Sequence, residues 1–231
     1  MDKLRNKFTI HGIEFVYIYL IGIFAAFLGW CAENVVRLIS LGVIDNRFHF
    51  LPFIFPYALA VIAMFLALGT PENLCFFGHE LFRTKTLKNK ILSHLSYFLI
   101  VSFFVFVGEL AVGNFYYYAT GLDLWNYSNL PLGVTKYAGL IPSFGYGLGA
   151  YLLMVFFNKM LKLVSKVPFG IAFGICITLG LAILVDNIYM ISYTLVNKKK
   201  PEYWSWQVYT KASLDVIQTY FSCIKISLLK I

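Results

Sequence analysis

Three carboxylates lie inside apolar runs of membrane length: Glu33, Glu109 and Asp186. A carboxylic acid in hydrocarbon costs at least a few kcal/mol, so such a residue is held by partners or kept for a function. Its chemistry there narrows to binding a cation, carrying a proton, or sharing acid–base work with a second carboxylate of different pKa. The spacing suggests a common depth. Each acid stands 18 residues beyond a plausible start of its run, counted from Phe15, Ile91 and Pro168. As helix, that distance is about 27 Å. If the three runs cross the bilayer in the same direction, all three acids fall in its outer part. Asn34, Asn114 and Asn187 lie near them on the same runs.

Each acid also has a plainer reading. Arg37 follows Glu33 by four residues, the favourable order for an ion pair along one helix. Glu109 and Asp186 have no Lys or Arg in reach on their own runs; Asp186 then reads as an interhelical hydrogen bond that stitches its helix to the bundle. Arg47 follows Asn46 in the next connection and is a candidate partner for one of the acids. Trp125, Asn126, Tyr127 and Ser128 set two amphipathic rings and three hydrogen-bonding groups at the membrane surface, where an ordinary aromatic belt is the alternative. Tyr57 and Tyr146 sit in related segments, Pro56-Tyr57-Ala58-Leu59-Ala60 and Gly145-Tyr146-Gly147-Leu148-Gly149.

The elements that must position these residues follow from composition. The 231 residues are 60% hydrophobic and 13% charged, with a mean hydropathy of +0.75. A soluble domain carries about 25% charged residues, so the chain reads as an integral membrane protein. The apolar runs are too long and too uniform for barrel strands and imply helices. The expected fold is an all-α polytopic bundle with spans near 15–41, 50–68, 91–120, 137–157 and 168–195. A single integral membrane domain, 1–231, accounts for the chain, with a possible parallel repeat of 15–69 and 91–158. The first span reads as retained rather than cleaved as a signal peptide. Near the end, Leu214, Ile217, Phe221, Ile224 and Leu228 recur at helical spacing among polar residues. Residues 203–231 are therefore expected as an interfacial amphipathic helix anchored by Trp204 and Trp206, with a sixth span as the alternative.

Lys and Arg set the orientation. With the N-terminus cytoplasmic, Lys3, Arg5, Lys7, Arg83, Lys85, Lys88, Lys90, Lys159, Lys162 and Lys166 fall inside, and Arg47 and Lys136 outside. The discordant feature is Lys198, Lys199 and Lys200, which fall outside. The net charge of +8 belongs to these span ends and to the lipid bilayer as partner, not to nucleic acid. The cysteines and histidines form no metal-ligand pattern, and no P-loop or hydrolase motif is present. No cofactor or metal is expected. Gly145, Gly147 and Gly149 read as close helix packing.

The residues Gly29-Trp30-Cys31-Ala32-Glu33 resemble the "G-W-x-x-E" opening of the type IV ABC-transporter permease family, also called CmpB-like. Asn46-Arg47 and residues 52–57 are similar to its "N-R-G-F-L-x-G-P-x-x-P-I-Y-G" loop, without the glycines. Glu109 followed by Trp125-Asn126-Tyr127-Ser128 resembles its Glu and "W-D-Y-S" pair, with Asn126 in place of Asp. Gly139-Leu140-Ile141 and Asp186 are similar to later family positions, so the resemblance spans about residues 20–190. It implies a permease or transport component at the plasma membrane, in which Glu33, Glu109 and Asp186 line an outward-facing acidic cavity for a cationic solute or a coupling proton. Arg47, Tyr57, Tyr146 and Trp125 through Ser128 would shape the mouth. A separate ATPase or other membrane subunit would be the partner. A structural or regulatory membrane subunit and a membrane-embedded lipid-modifying enzyme remain as alternatives.

Overall fold

The computed structural model describes residues 9–10, 13–82, 86–201 and 206–209. Five helices carry the architecture: α1 Phe15–Leu41, α2 Phe55–Leu68, α3 Leu87–Thr120, α4 Leu140–Val164 and α5 Phe169–Asn197. Four of them, all but α2, are long and apolar enough to cross a membrane. α2 has 14 residues, about 21 Å of helix against a hydrocarbon core of about 30 Å. The expected count of five full spans is not confirmed among the described residues. The apolar run begins at Phe50, but residues 50–54 are not helical, and their amides bond elsewhere. Ile54 N donates to Ala26 O at 3.1 Å, and the amides of Phe50 and Leu51 both go to Asp186. Pro56 enters in the first turn of α2, where a missing N–H costs nothing.

Local signals set the other ends. The Thr86 hydroxyl accepts from Asn89 N at 3.3 Å and starts α3 four residues before Ile91. Gly42 and Gly121 close α1 and α3 at φ 66° and 77°, the left-handed stop that glycine supplies most cheaply. α1, α3 and α5 run in the same direction. At their C-terminal ends, here called distal, Lys198 Nζ donates to Ala119 O at 2.8 Å. There β3 (Val43–Asp45) also pairs antiparallel with β7 (Gln207–Tyr209), Asp45 opposite Gln207. Of residues 203–231, only 206–209 are described. The helix expected beyond them lies outside the described residues.

The proximal end carries short strands: β1 (Thr9–Ile10) with β2 (Ile13–Glu14), and a meander of β4 (Gly69–Thr70), β5 (Asn73–Phe76) and β6 (His79–Glu80). The meander is tied down by Tyr97 Oη to Gly69 O at 3.2 Å and Ser93 Oγ to Pro71 O at 2.8 Å. Its Leu74 joins an apolar core with Ile18, Ile21, Val61, Phe65, Val101, Met154 and Phe157. Phe65 and Phe157 stack there at 4.4 Å. This core fills the proximal half of the bundle, so the polar residues of α1 to α4 collect in the distal half.

α1 is the central helix. It packs against α2, α4 and α5, and half of its most apolar stretch is buried, against 17% for α3. The outer helices therefore show most of their surface to lipid. α3 and α4 approach closely at Gly147, where an added Cβ would lie 2.9 Å from the Ser102 Cα. Gly145, two residues earlier, has open space. Gly147→Val should therefore lose ~1–3 kcal/mol through overpacking and lower the thermal midpoint in detergent, while Gly145→Val should leave it unchanged. Equal midpoints for the two variants would contradict the close α3–α4 contact.

Candidate functional site

Glu33 and Glu109 come together in the distal half. Glu33 Oε2 lies 2.7 Å from Arg47 Nε, and Oε1 accepts from the Tyr57 hydroxyl at 3.1 Å. The cation for Glu33 is thus Arg47, from the following loop. Arg37, its neighbour along the helix, pairs instead with Asp45 at 2.7 Å. Glu109 takes two hydroxyl donors, Tyr127 on Oε1 and Ser143 on Oε2, both at 2.9 Å. Among the described residues no cation pairs with it. Tyr57 and Tyr146 bridge the two acids, with ring centroids 6.3 Å apart. Tyr146 interacts electrostatically with both carboxylates and with Arg47, and the two carboxylates repel one another.

The loops that deliver Arg47 and Tyr127 are held by short-range polar contacts. Asp45 N donates to Asn34 Oδ1 at 2.8 Å, and Arg47 N donates to Asp45 Oδ1 at 3.0 Å. Asn46 Nδ2 reaches His49 O at 2.8 Å. Between these contacts Arg47 and Phe48 adopt φ 56° and 64°, a left-handed conformation that costs a non-glycine residue roughly 1–2 kcal/mol. Phe48 stands where the "N-R-G" motif has glycine. In the second loop, Trp125 Nε1 donates to Tyr137 O at 2.8 Å, and Ser128 N donates to Asn126 Oδ1 at 2.9 Å. Lys136, 2.8 Å from Asp123, holds that carboxyl below its usual range. Of the four residues from 125 to 128, Tyr127 alone reaches a carboxylate. Trp125 is a strut, and Asn126 and Ser128 are exposed turn formers. Burial, with the nearby Tyr146 and Glu109, pushes the Tyr127 phenol well up, so it remains a donor.

Asp186 stands apart from this pair. It is buried, and its two oxygens accept from Phe50 N and Leu51 N, each at 3.0 Å. His49 Nδ1 lies 3.7 Å from Oδ2. Burial holds the His49 imidazole below its ordinary value, Asp186 working against this and Arg47 adding to it. Asp186 thus anchors the loop that carries Arg47, and reaches Glu33 only through that loop. An open groove of about 460 Å³ beside Asp186 is lined by Phe50, Leu51, Leu181, Val185 and Tyr189, and neither glutamate contributes to it. The three asparagines bond back to their own helices, Asn34 to Trp30 O, Asn114 to Leu110 O and Asn187 to Ile183 O.

Three contributors escape a sequence reading: Asp45, Ser143 and His49. Asp45 is signalled only by its place just before Asn46-Arg47, and Ser143 only by following Pro142 at the start of a helix. Among the described residues no three His, Cys, Asp or Glu side chains group as metal ligands.

A family model described as "Putative ABC-transporter type IV" matches residues 20–191, from within α1 to within α5. No curated protein and no solved structure matches the chain. The matched segment contains Glu33, Arg47, Tyr57, Glu109, Tyr127, Ser143, Tyr146 and Asp186, the residues of the glutamate pair and of the loop anchor. With four membrane-length helices and this match over most of its length, the chain belongs to the type IV ABC-transporter-type family.

Proposed function

We propose that this integral membrane protein is a permease, or the membrane component of a transport system, in the plasma membrane with its N-terminus cytoplasmic and the distal end outside. The observation that carries the reading is Glu109. Among the described residues its carboxylate faces two hydroxyls and no cation, beside a Glu33 already neutralised by Arg47. That leaves one negative charge in a low-dielectric setting, which a proton or a cationic solute can balance. Tyr57, Tyr127 and Tyr146 add ring faces that attract an organic cation. In this reading Arg47, Trp125, Asn126 and Ser128 shape the approach. Asp186 acts by holding the Arg47 loop rather than by touching the solute. The parallel repeat of 15–69 and 91–158 would supply one glutamate and one tyrosine from each unit. No P-loop lies in the helices, so a separate ATPase subunit would energise an ATP-driven cycle.

A second reading, a structural or regulatory subunit, is favoured by one feature: both oxygens of Glu109 and of Asp186 are already engaged by protein donors. Proteoliposomes separate the two. With pyranine inside and labelled tetraethylammonium outside, the wild-type chain should acidify the lumen or accumulate the cation. Glu109→Gln should abolish the flux while its thermal midpoint stays near wild type. A variant that moves as much as wild type would exclude transport through Glu109 and leave the structural reading, whereas a wild-type chain that moves neither species would exclude transport without a partner subunit.

A further inference from the structure

The lysines that break the inside–outside charge pattern also break the pairing pattern of the distal surface. Every other distal Lys or Arg among the described residues has its own carboxylate: Arg37 with Asp45, Arg47 with Glu33 and Lys136 with Asp123. Lys198 Nζ spends itself on a backbone carbonyl, Ala119 O. Lys200 is half-buried and has no carboxylate within ion-pair distance among the described residues. Its ammonium lies 5.2 Å from the centre of the Phe48 ring, on the strained turn that carries Arg47. The charges that act on it are Arg47 and Arg37, which repel it, and Asp123 and Asp45, each already paired. Burial, reinforced by the two arginines, holds it below the usual lysine value. Arg37 adds a further donor: its Nη2 is on Asp45, and its buried Nε–H has no acceptor among the described residues.

Arg37 and Arg47 are each balanced by a carboxylate, but a half-buried ammonium with no carboxylate of its own is unfavourable unless an anion joins it. Arginine forks match the geometry of a phosphate group, and lysine adds a point charge. We propose that Lys200, Arg37 and Arg47 form an anion site for a phosphate group at the distal end of the bundle. The phosphate comes either from an anionic lipid headgroup or from a soluble phosphate. The site shares Arg47 with the transport reading but uses neither Glu109 nor the tyrosines, so phosphate-dependent stabilisation and Glu109-dependent flux can fail separately.

The test measures ligand-dependent stabilisation of the full chain. Inorganic phosphate is compared with chloride at matched ionic strength in detergent, and phosphatidylglycerol with phosphatidylcholine in nanodiscs. The thermal midpoint should rise with phosphate, with phosphatidylglycerol, or with both. A rise with phosphatidylglycerol alone identifies a lipid headgroup, and a rise with phosphate in detergent identifies a soluble source. Lys200→Ala should weaken the response about tenfold, the loss of one charge-assisted contact, and Lys200→Arg should retain it. If Lys200 only pins its segment onto Phe48, Lys200→Ala lowers the midpoint equally in chloride and phosphate, and the proposal fails. It also fails if neither phosphate nor phosphatidylglycerol stabilises the wild-type chain.

Discussion

Asp186→Ala should cost the fold about 3–6 kcal/mol, because two backbone amides each lose a hydrogen bond to a charged acceptor worth ~1.5–3 kcal/mol. Phe50 N and Leu51 N have no helix to fall back on, since α2 begins only at Phe55. Single substitutions rarely exceed about 4–5 kcal/mol, and those that do leave buried polar groups unpaired. Asp186→Asn keeps one carbonyl oxygen but turns an N–H₂ group toward an amide donor, so it should recover only part of the loss. Hydrogen exchange over residues 46–54 reports the outcome. The Phe50 and Leu51 amides should lose protection in Asp186→Ala while α3 and α4 keep theirs. Unchanged protection would mean that Asp186 does not anchor the loop.

The second large effect is expected at the Glu33–Arg47 pair. The two side chains are 17% and 19% exposed, so the pair is mostly withdrawn from water. Removing one member of a buried pair costs ~3–5 kcal/mol, chiefly because the other charge is left unmatched; the residual exposure places this pair toward the lower figure. Arg47→Ala should therefore be strongly destabilising, and Glu33→Gln in the same chain should restore much of the loss. Thermal midpoints of the two single variants and the double variant form the cycle. Simple additivity would show that the 2.7 Å contact contributes little. Arg37→Ala is the contrasting case, because its partner Asp45 keeps the amide of Arg47 as a second contact.

Much of this arrangement is legible in the sequence, and the part that is not has identifiable causes. Hydropathy reveals membrane helices and their common direction, because burying twenty apolar residues leaves few alternatives. The same averaging overstates α2. It counts Phe50 through Ile54 as apolar, but cannot see that a carboxylate about 135 residues away takes the amides of Phe50 and Leu51. The Glu33–Arg37 spacing suggests a pair because only helical neighbours are visible in one dimension. The turn at Arg47 and Phe48 brings a second cation and Asp45 to the same place, and the pairs exchange. Tyr127 is foreseeable from its proximity to aromatic turn residues after a lone glutamate. Ser143 is not, since one buried serine in an apolar helix start has no signature. Equal spacing along parallel helices does not make a common pocket. Asp186 sits on α5 and faces the loop, while Glu33 and Glu109 face one another across the tyrosines.

The loop of residues 46–54 is fastened at two points to different helices: its amides to α5 through Asp186, and its guanidinium to α1 through Glu33. Between the fastenings lie only Phe48 and His49, and Phe48 shares a cramped left-handed turn with Arg47. There is little slack to absorb a sliding of one helix past the other. An axial shift of α5 must either tear the amides from Asp186 or haul the guanidinium off Glu33 and unmask that charge. The short segment thus works as a tether that gears the travel of α5 to the electrostatic state of α1.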